Sequence, residues 1–250
     1  MKEITKIYKK FLFNFKSKID IDNESLGAKS LDELFNYFGT DKGTKVTNPY
    51  LQESKEILGH GFAKFHEKKL LKFKYDTFQI LEIGTWEGAS TAALAVFFPN
   101  IKIYGIDKTF RFKFKSSRMF FNYCNINDAG DLKKFSSKHS IEKFKIVIDD
   151  ASHILTDMIK SLKFFFEYVE KGGYFILEDF NAPIYFESLN DSNGKEILID
   201  EIFKKIKKKQ FFKSSVLNKD DQKYLFNNID GIDIFKGKTK ISDIAFIKKK

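Results

Sequence analysis

The sequence predicts an α/β fold: a doubly wound, mostly parallel seven-stranded sheet with an N-terminal helical extension. Three observations carry this. Short apolar runs alternate with helical segments from Phe78 onward. Several of those runs end in a glycine or an acid, as strands do at the rim of an open sheet. The tail reads as an antiparallel hairpin that closes the sheet. At 250 residues, 42% apolar and 31% charged, the chain suffices for one sizeable domain with additions. Residues 1–75 are expected to form the helical extension and a cofactor-covering segment, and 76–250 the main domain.

Ile4, Ile7, Phe11 and Phe15 recur at helical spacing with lysines between them, predicting an amphipathic helix over residues 2–18. Its apolar stripe is expected to pack on the domain or on a sister subunit rather than on a membrane. Ser30-Leu-Asp-Glu33 is a capping box opening the short helix LDELFNYF, which Gly39-Thr-Asp-Lys-Gly43 breaks. A second helical region is expected over residues 51–72. FQILEIG then reads as a buried strand, GASTAALAVFF as a helix stopped by Pro99-Asn100, and IKIYGID as a strand ending in an acid. FFNYCN is a strand and DAGDLKKFSSKH a polar-faced helix. FKIVIDD is a strand ending in two acids. ILTDMIKSLKFFFEYVEKGG reads as a helix with a glycine stop, and YFILEDF as a strand ending in two more acids. Residues 196–209 give a last helix before the hairpin IDGIDIFKGKTKISDIAFIKK.

The net charge is +10, yet only Arg111 and Arg118 among the 44 basic residues are arginine. Nucleic-acid readers favour the arginine fork, so the lysine excess gives only non-specific attraction and no specific nucleic-acid partner is expected. Cys124 is the single cysteine. It excludes a disulfide within the chain and a cysteine-based zinc site, and fits a reducing cytoplasm. No run approaches the roughly 18 apolar residues of a membrane span, and the N-terminus lacks the features of a signal peptide.

Two clusters carry chemistry. In Leu81-Glu82-Ile-Gly84-Thr-Trp-Glu-Gly88 a strand turns through glycines into a helix, and Asp107 ends the next strand. Gly84 lets the backbone approach a ligand, and Asp107 can accept both hydroxyls of a ribose. Trp86 stands where a dinucleotide site wants glycine, and Glu82 suits an ammonium better than a phosphate. S-adenosylmethionine, which has an amino acid and no phosphate, therefore fits this loop. The second cluster is Asp149-Asp150-Ala-Ser-His153 with Glu178-Asp179. Acids gathered at adjacent strand ends repel unless a cation compensates, and oxygen ligands of this kind suit Mg²⁺, Mn²⁺ or Ca²⁺. His153 can reach a bound hydroxyl as general base. Asp149 and Asp150 point to different sides of the chain; Asp149 is the alternative ligand, and His153, three residues on, favours Asp150.

GTDKG, HGFAKFHEK, LEIGTWEGAS, YGID, VIDDASH and GGYFILEDF occur in the order seen in a family of Rossmann-like class I methyltransferases. The chain resembles the macrolide-sugar O-methyltransferases and cephalosporin-hydroxylase-like proteins over roughly residues 31–180. The resemblance implies metal-dependent methyl transfer from S-adenosylmethionine to a hydroxyl, often of a sugar. It implies Asp150, Glu178 and Asp179 as metal ligands, His153 as base, and Gly84, Gly88 and Asp107 as cofactor loop and ribose acid. It also implies Asp128 near the adenine and Tyr37 and Asp41 on a segment closing over the cofactor; Glu82 and Asp149 complete the cofactor set. His66 stands where relatives tend to carry tyrosine. The expected partner is a small sugar-containing acceptor, in surface-polysaccharide or natural-product synthesis, with a homo-oligomer allowed by the N-terminal helix. The rival readings are an RNA methyltransferase, or a silent nucleic-acid or membrane-associated protein that keeps the fold. Steep salt dependence of RNA binding would favour those, and cofactor-dependent turnover of a small acceptor would favour the first.

Overall fold

The computed structural model describes residues 2–22, 26, 29–46, 57–139 and 143–250. In chain order the elements are α1 (Lys2–Phe15), β1 (Ile19–Asp20), α2 (Leu31–Phe38), β2 (Lys45–Val46), β3 (Ile57–Leu58), α3 (Ala63–Leu70), β4 (Gln79–Ile83) and α4 (Ala89–Phe97). There follow β5 (Lys102–Asp107), β6 (Phe114–Lys115), β7 (Met119–Tyr123), α5 (Ala129–Lys138), β8 (Phe144–Asp149), α6 (Leu155–Phe165) and β9 (Val169–Leu177). The chain closes with α7 (Ala182–Tyr185), α8 (Ile199–Lys207), α9 (Lys219–Asn228), β10 (Ile229–Lys236) and β11 (Asp243–Lys249).

Seven strands form one sheet in the order β10-β11-β9-β8-β4-β5-β7, and only β10 and β11 join it antiparallel. Strand order reverses between β4 and β8, so a crevice opens at their carboxyl ends. Side chains alternate across the sheet. Ile80, Ile103, Ile146, Ile148 and Ile176 face one core with α2, α3 and α4. Leu81, Ile83, Ile106, Val147 and Leu177 face a second core with α5, α6, α8 and α9. Both faces are covered, which is why these strands read as continuous apolar runs. The register aligns Ile83 with Asp149 and Asp149 with Leu177. Gly84, Asp150 and Glu178 are therefore level, each one residue beyond the ladder.

The capping box at Ser30 and Glu33 is formed, and Gly39 ends α2 in the left-handed region at φ 78°. Four features differ from the sequence expectations. Of the helix expected over 51–72, residues 51–56 lie outside the described residues, Ile57 and Leu58 pair with Val46 and Lys45, and helix begins only at Ala63. The His60 N–H donates to the Asp41 carbonyl at 2.6 Å, so the Gly59–Gly61 stretch is spent on holding the GTDKG loop. The helix after His153 ends at Phe165, passes through a 3-10 turn and becomes strand at Val169. Gly172-Gly173 lies inside β9 because the strands approach there: a Cβ on Gly173 would sit 2.4 Å from the Lys145 carbonyl oxygen. α9, opened by a capping box of Asn218 and Asp221, had no counterpart in the sequence reading.

The fourth difference concerns α1. The face that packs carries Phe13, whose ring lies 5.6 Å from Phe110 and 5.2 Å from Phe121, and Lys6, which pairs with Asp131 at 2.8 Å. Ile7, Phe11 and Phe15 of the expected packing stripe are exposed; the Ile4 side chain lies outside those described.

Candidate active site

A cavity of about 960 Å³ opens at the carboxyl ends of β4, β5 and β8. Gly84 forms its floor at φ 84°, a conformation suited to glycine, and a Cβ there would lie 2.3 Å from the Asp150 carbonyl oxygen. Gly88, also at positive φ, caps α4 under the Phe112 ring, 2.5 Å from where its Cβ would be, and does not line the cavity. Glu82 is buried on the α4 face, where Thr91 donates to it, and still reaches the cavity wall. Burial raises its pKa, against the opposing pull of Lys42.

Asp107 lines the cavity and is tied to its own surroundings. It accepts from the Trp86 amide at 2.9 Å and from the Thr109 amide and hydroxyl at 2.7 and 2.8 Å. A carboxylate offers about four acceptor sites, so these three bonds leave room for a further donor from the cavity. Trp86 sits on the rim at φ 49°, more than half exposed, with the Arg111 guanidinium 3.9 Å from its ring.

Sheet alternation sorts the acids. Asp149 shares the parity of Val147, so it turns into the α6 core and does not line the cavity. Its Oδ2 is buried with no hydrogen-bond partner among the described residues, and burial pushes its pKa up to about 7. Asp150 points the other way, into the cavity. Glu178 shares the parity of Ile176 and turns towards α3, where His66 Nε2 lies 3.0 Å from its Oε1. Lys42, only 1% exposed, inserts between Asp150 and Glu178 and donates to both. Burial would lower the Lys42 pKa, but the two carboxylates outweigh it and hold it well above its usual value. Lys42 and His66 in turn outweigh burial at Glu178, which falls to about 2.

Of the expected trio of Asp150, Glu178 and Asp179, Asp150 and Asp179 each offer, with His153, a ligand atom within 4.8 Å of the others, while Glu178 is paired with Lys42 and His66. His153 adopts φ 55°, with Nε2 3.6 Å from Asp150 Oδ1. Burial lowers its pKa, so the imidazole stays neutral and available as a base or a ligand. Asp179, at φ 52°, is paired with His60 Nδ1 at 3.0 Å. Asp41 lines the opposite wall. Tyr37 stacks edge-on against Phe38, and Asp128 is an exposed cap of α5, donated to by the Asp131 amide at 2.9 Å; neither lines the cavity. Asn125 and Asn127, after β7, occupy the wall where Asp128 was expected.

Lys42 and His60 were missed as site residues, although both lie in motifs the sequence displays. A lysine beside acids in GTDKG reads as surface until the fold shows what it is buried against.

No family model matches the chain. Among curated proteins it is 29% identical over 127 residues to mycinamicin VI 2''-O-methyltransferase of Micromonospora griseorubida, covering 48% of this chain and 31% of that one. It is 28% identical over 142 residues to demethylmacrocin O-methyltransferase of Streptomyces fradiae, covering 54% and 35%. It is 26% identical over 129 residues to a tetracenomycin-sugar 3'-O-methyltransferase of Streptomyces olivaceus, covering 49% and 33%. The matched part spans about a third of each relative's length. Among solved structures it is similar to MycE methyltransferase of the mycinamycin pathway in complex with Mg and SAH, with a TM-score of 0.66 and 23% identity over 88% of this chain and 55% of that one. The chain has the Rossmann-like fold of the class I methyltransferases, and over about half its length it resembles the macrolide-sugar O-methyltransferases.

Proposed function

We propose that the chain is a metal-assisted O-methyltransferase that moves the methyl group of S-adenosylmethionine to a hydroxyl of a sugar-bearing small molecule. The observation that carries this is the convergence of Asp150, His153 and the buried Asp179, the first two lining, with the Gly84 turn, a cavity roomy enough for two ligands. The relatives' names point to a sugar hydroxyl on a natural product. Asp150 and Asp179 fit a divalent cation: both are acidic oxygen donors, and burial, aided by the neighbouring Glu178 carboxylate, raises the pKa of each. When bound, such a cation lowers the pKa of an acceptor hydroxyl.

Asp107 and the Gly84 turn hold the nucleoside end, and Glu82 faces the amino-acid end. Neutral His153 takes the hydroxyl proton at a ring nitrogen as the acceptor oxygen bonds to the methyl carbon. The sulfonium leaves as a neutral thioether. Lys42 fixes the direction of Asp150. The protein's main contribution is alignment, worth up to about 7–11 kcal/mol in favourable cases.

Calorimetry with S-adenosylmethionine and S-adenosylhomocysteine, followed by methyl-transfer assays on free and nucleotide-linked sugars with and without chelator, tests the reading. Binding of both compounds and chelator-sensitive turnover are expected. Binding of NAD in place of either compound would refute the cofactor, and full turnover in excess chelator would refute the metal.

A further inference from the structure

The unpartnered face of α1 lies opposite its packed face. At 3.6 residues per turn, Ile7, Tyr8, Phe11, Leu12 and Phe15 form a ridge centred about half a turn from Phe13 and Lys6. These five side chains are 44–74% exposed, and the Phe11 and Phe15 rings lie 4.7 Å apart, so the ridge is continuous. The helix is about 21 Å long at 1.5 Å per residue, enough to lie along a surface.

Beside this ridge is a second cavity of about 630 Å³, between α1 and the loop after β5. Lys6, Lys9, Lys16, Lys108 and Arg111 line it, with Leu12, and among the described residues no carboxylate lines it. Lys6 is engaged by Asp131 behind the cleft; Lys9 and Lys16 are exposed. The cleft adjoins the large cavity, sharing Lys108 and Thr109.

We infer that α1 docks the protein on an anionic lipid bilayer, with the ridge at the acyl boundary and the basic cleft taking lipid phosphates. Charge decides between a bilayer and a second copy of the chain. Residues 2–18 carry six lysines and a single glutamate, so an α1-to-α1 contact would bring like charges together. An anionic surface satisfies both the apolar ridge and the lysines flanking it. Docking would bring the mouth of the large cavity beside the membrane. The sequence reading gave this stripe to the domain or to a sister subunit; the inference departs from it, and it stands whether or not the proposed reaction is right.

Sedimentation of the full chain with vesicles tests it, using phosphatidylcholine alone or mixed in equal parts with phosphatidylserine, at physiological salt. The wild type should sediment with the mixed vesicles only. Phe11→Ser/Phe15→Ser alters outward-facing rings, and circular dichroism will show the fold retained. It should lower the partition coefficient at least about tenfold, since each ring loses its burial in the interface. Lys9→Gln/Lys16→Gln should lower it as well, whereas Lys207→Gln/Lys208→Gln, at the end of α8, should leave it within about twofold. Absence of sedimentation with the mixed vesicles would overturn the inference. So would equal losses in the two lysine pairs with none in the phenylalanine pair, which would mark mere attraction of a basic protein. Conversion of a wild-type dimer to monomer by the phenylalanine pair, with vesicle binding intact, would assign the ridge to a second copy instead.

Discussion

Replacing Lys42 with methionine keeps most of the side-chain volume and deletes the charge between Asp150 and Glu178. The magnitude follows from burial. Lys42 and Glu178 are each 1% exposed, and breaking a buried pair from one side costs about 3–5 kcal/mol because the other charge is left without compensation. The pKa of Glu178 gives a similar figure: its fall from the ordinary 4.5 to about 2 is worth about 3 kcal/mol. Because the folded-state pKa is depressed, this contribution is complete above pH 4.5 and disappears as the pH falls towards 2. In Lys42→Met, burial acts on Glu178 against His66 alone, its pKa rises, and protonation stabilises the variant. The gap between wild type and variant should therefore be widest near neutrality and narrow as the solution is acidified. Urea denaturation in excess chelator, near neutral pH and at about pH 4, measures it. Adding Glu178→Gln to Lys42→Met should recover part of the loss. A deficit under about 1 kcal/mol near neutrality, the worth of an exposed pair, or a gap that ignores pH, would refute the reasoning.

Asp149→Asn should stabilise the fold at neutral pH, because an acid held at about 7 instead of 3.8 costs up to about 4 kcal/mol when ionised. That penalty grows as pH rises from 3.8 to about 7, so pH-dependent melting should show the wild type, and not the variant, losing stability across that window. Gly84→Ala should destabilise by more than about 2 kcal/mol through its left-handed backbone and its contact with the Asp150 carbonyl, read by denaturant midpoint. His153→Ala should lower turnover about 10²–10⁴-fold while calorimetry still shows cofactor binding. Burial lowers the His153 pKa, so the acid limb of kcat/KM should fall below the ordinary imidazole range; a limb above it would speak against this base.

The parallel sheet was legible because apolar runs ending in Gly84, Asp107 and Asp150 punctuate a strand–helix rhythm, and backbone physics leaves few topologies for that rhythm. The candidate metal site was legible only in part. That Asp149 and Asp150 diverge follows from strand alternation. Which of them faces the cavity is not encoded by the strand alone, and the pointer to Asp150 was His153 three residues on, which lines the same cavity. The partners of Glu178 were illegible for the same reason: its parity sends it towards α3, where Lys42 and His66 wait from more than a hundred residues upstream. Local signals that compete with one another were misread too. The glycines at 172 and 173 serve a close strand contact, and the α1 stripe, a valid helix signal, says nothing about which face meets the protein.

Trp86 is the chain's only tryptophan, and its place at the cavity mouth makes the protein its own spectroscopic probe. With excitation selective for indole, all emission comes from one half-exposed ring stacked on Arg111. A ligand entering beneath it displaces water from that ring and disturbs the guanidinium, so titrations can follow occupancy of the cavity without a label. α1 contains no indole, so emission tracks the large cavity directly, while lipid contact is read separately by sedimentation.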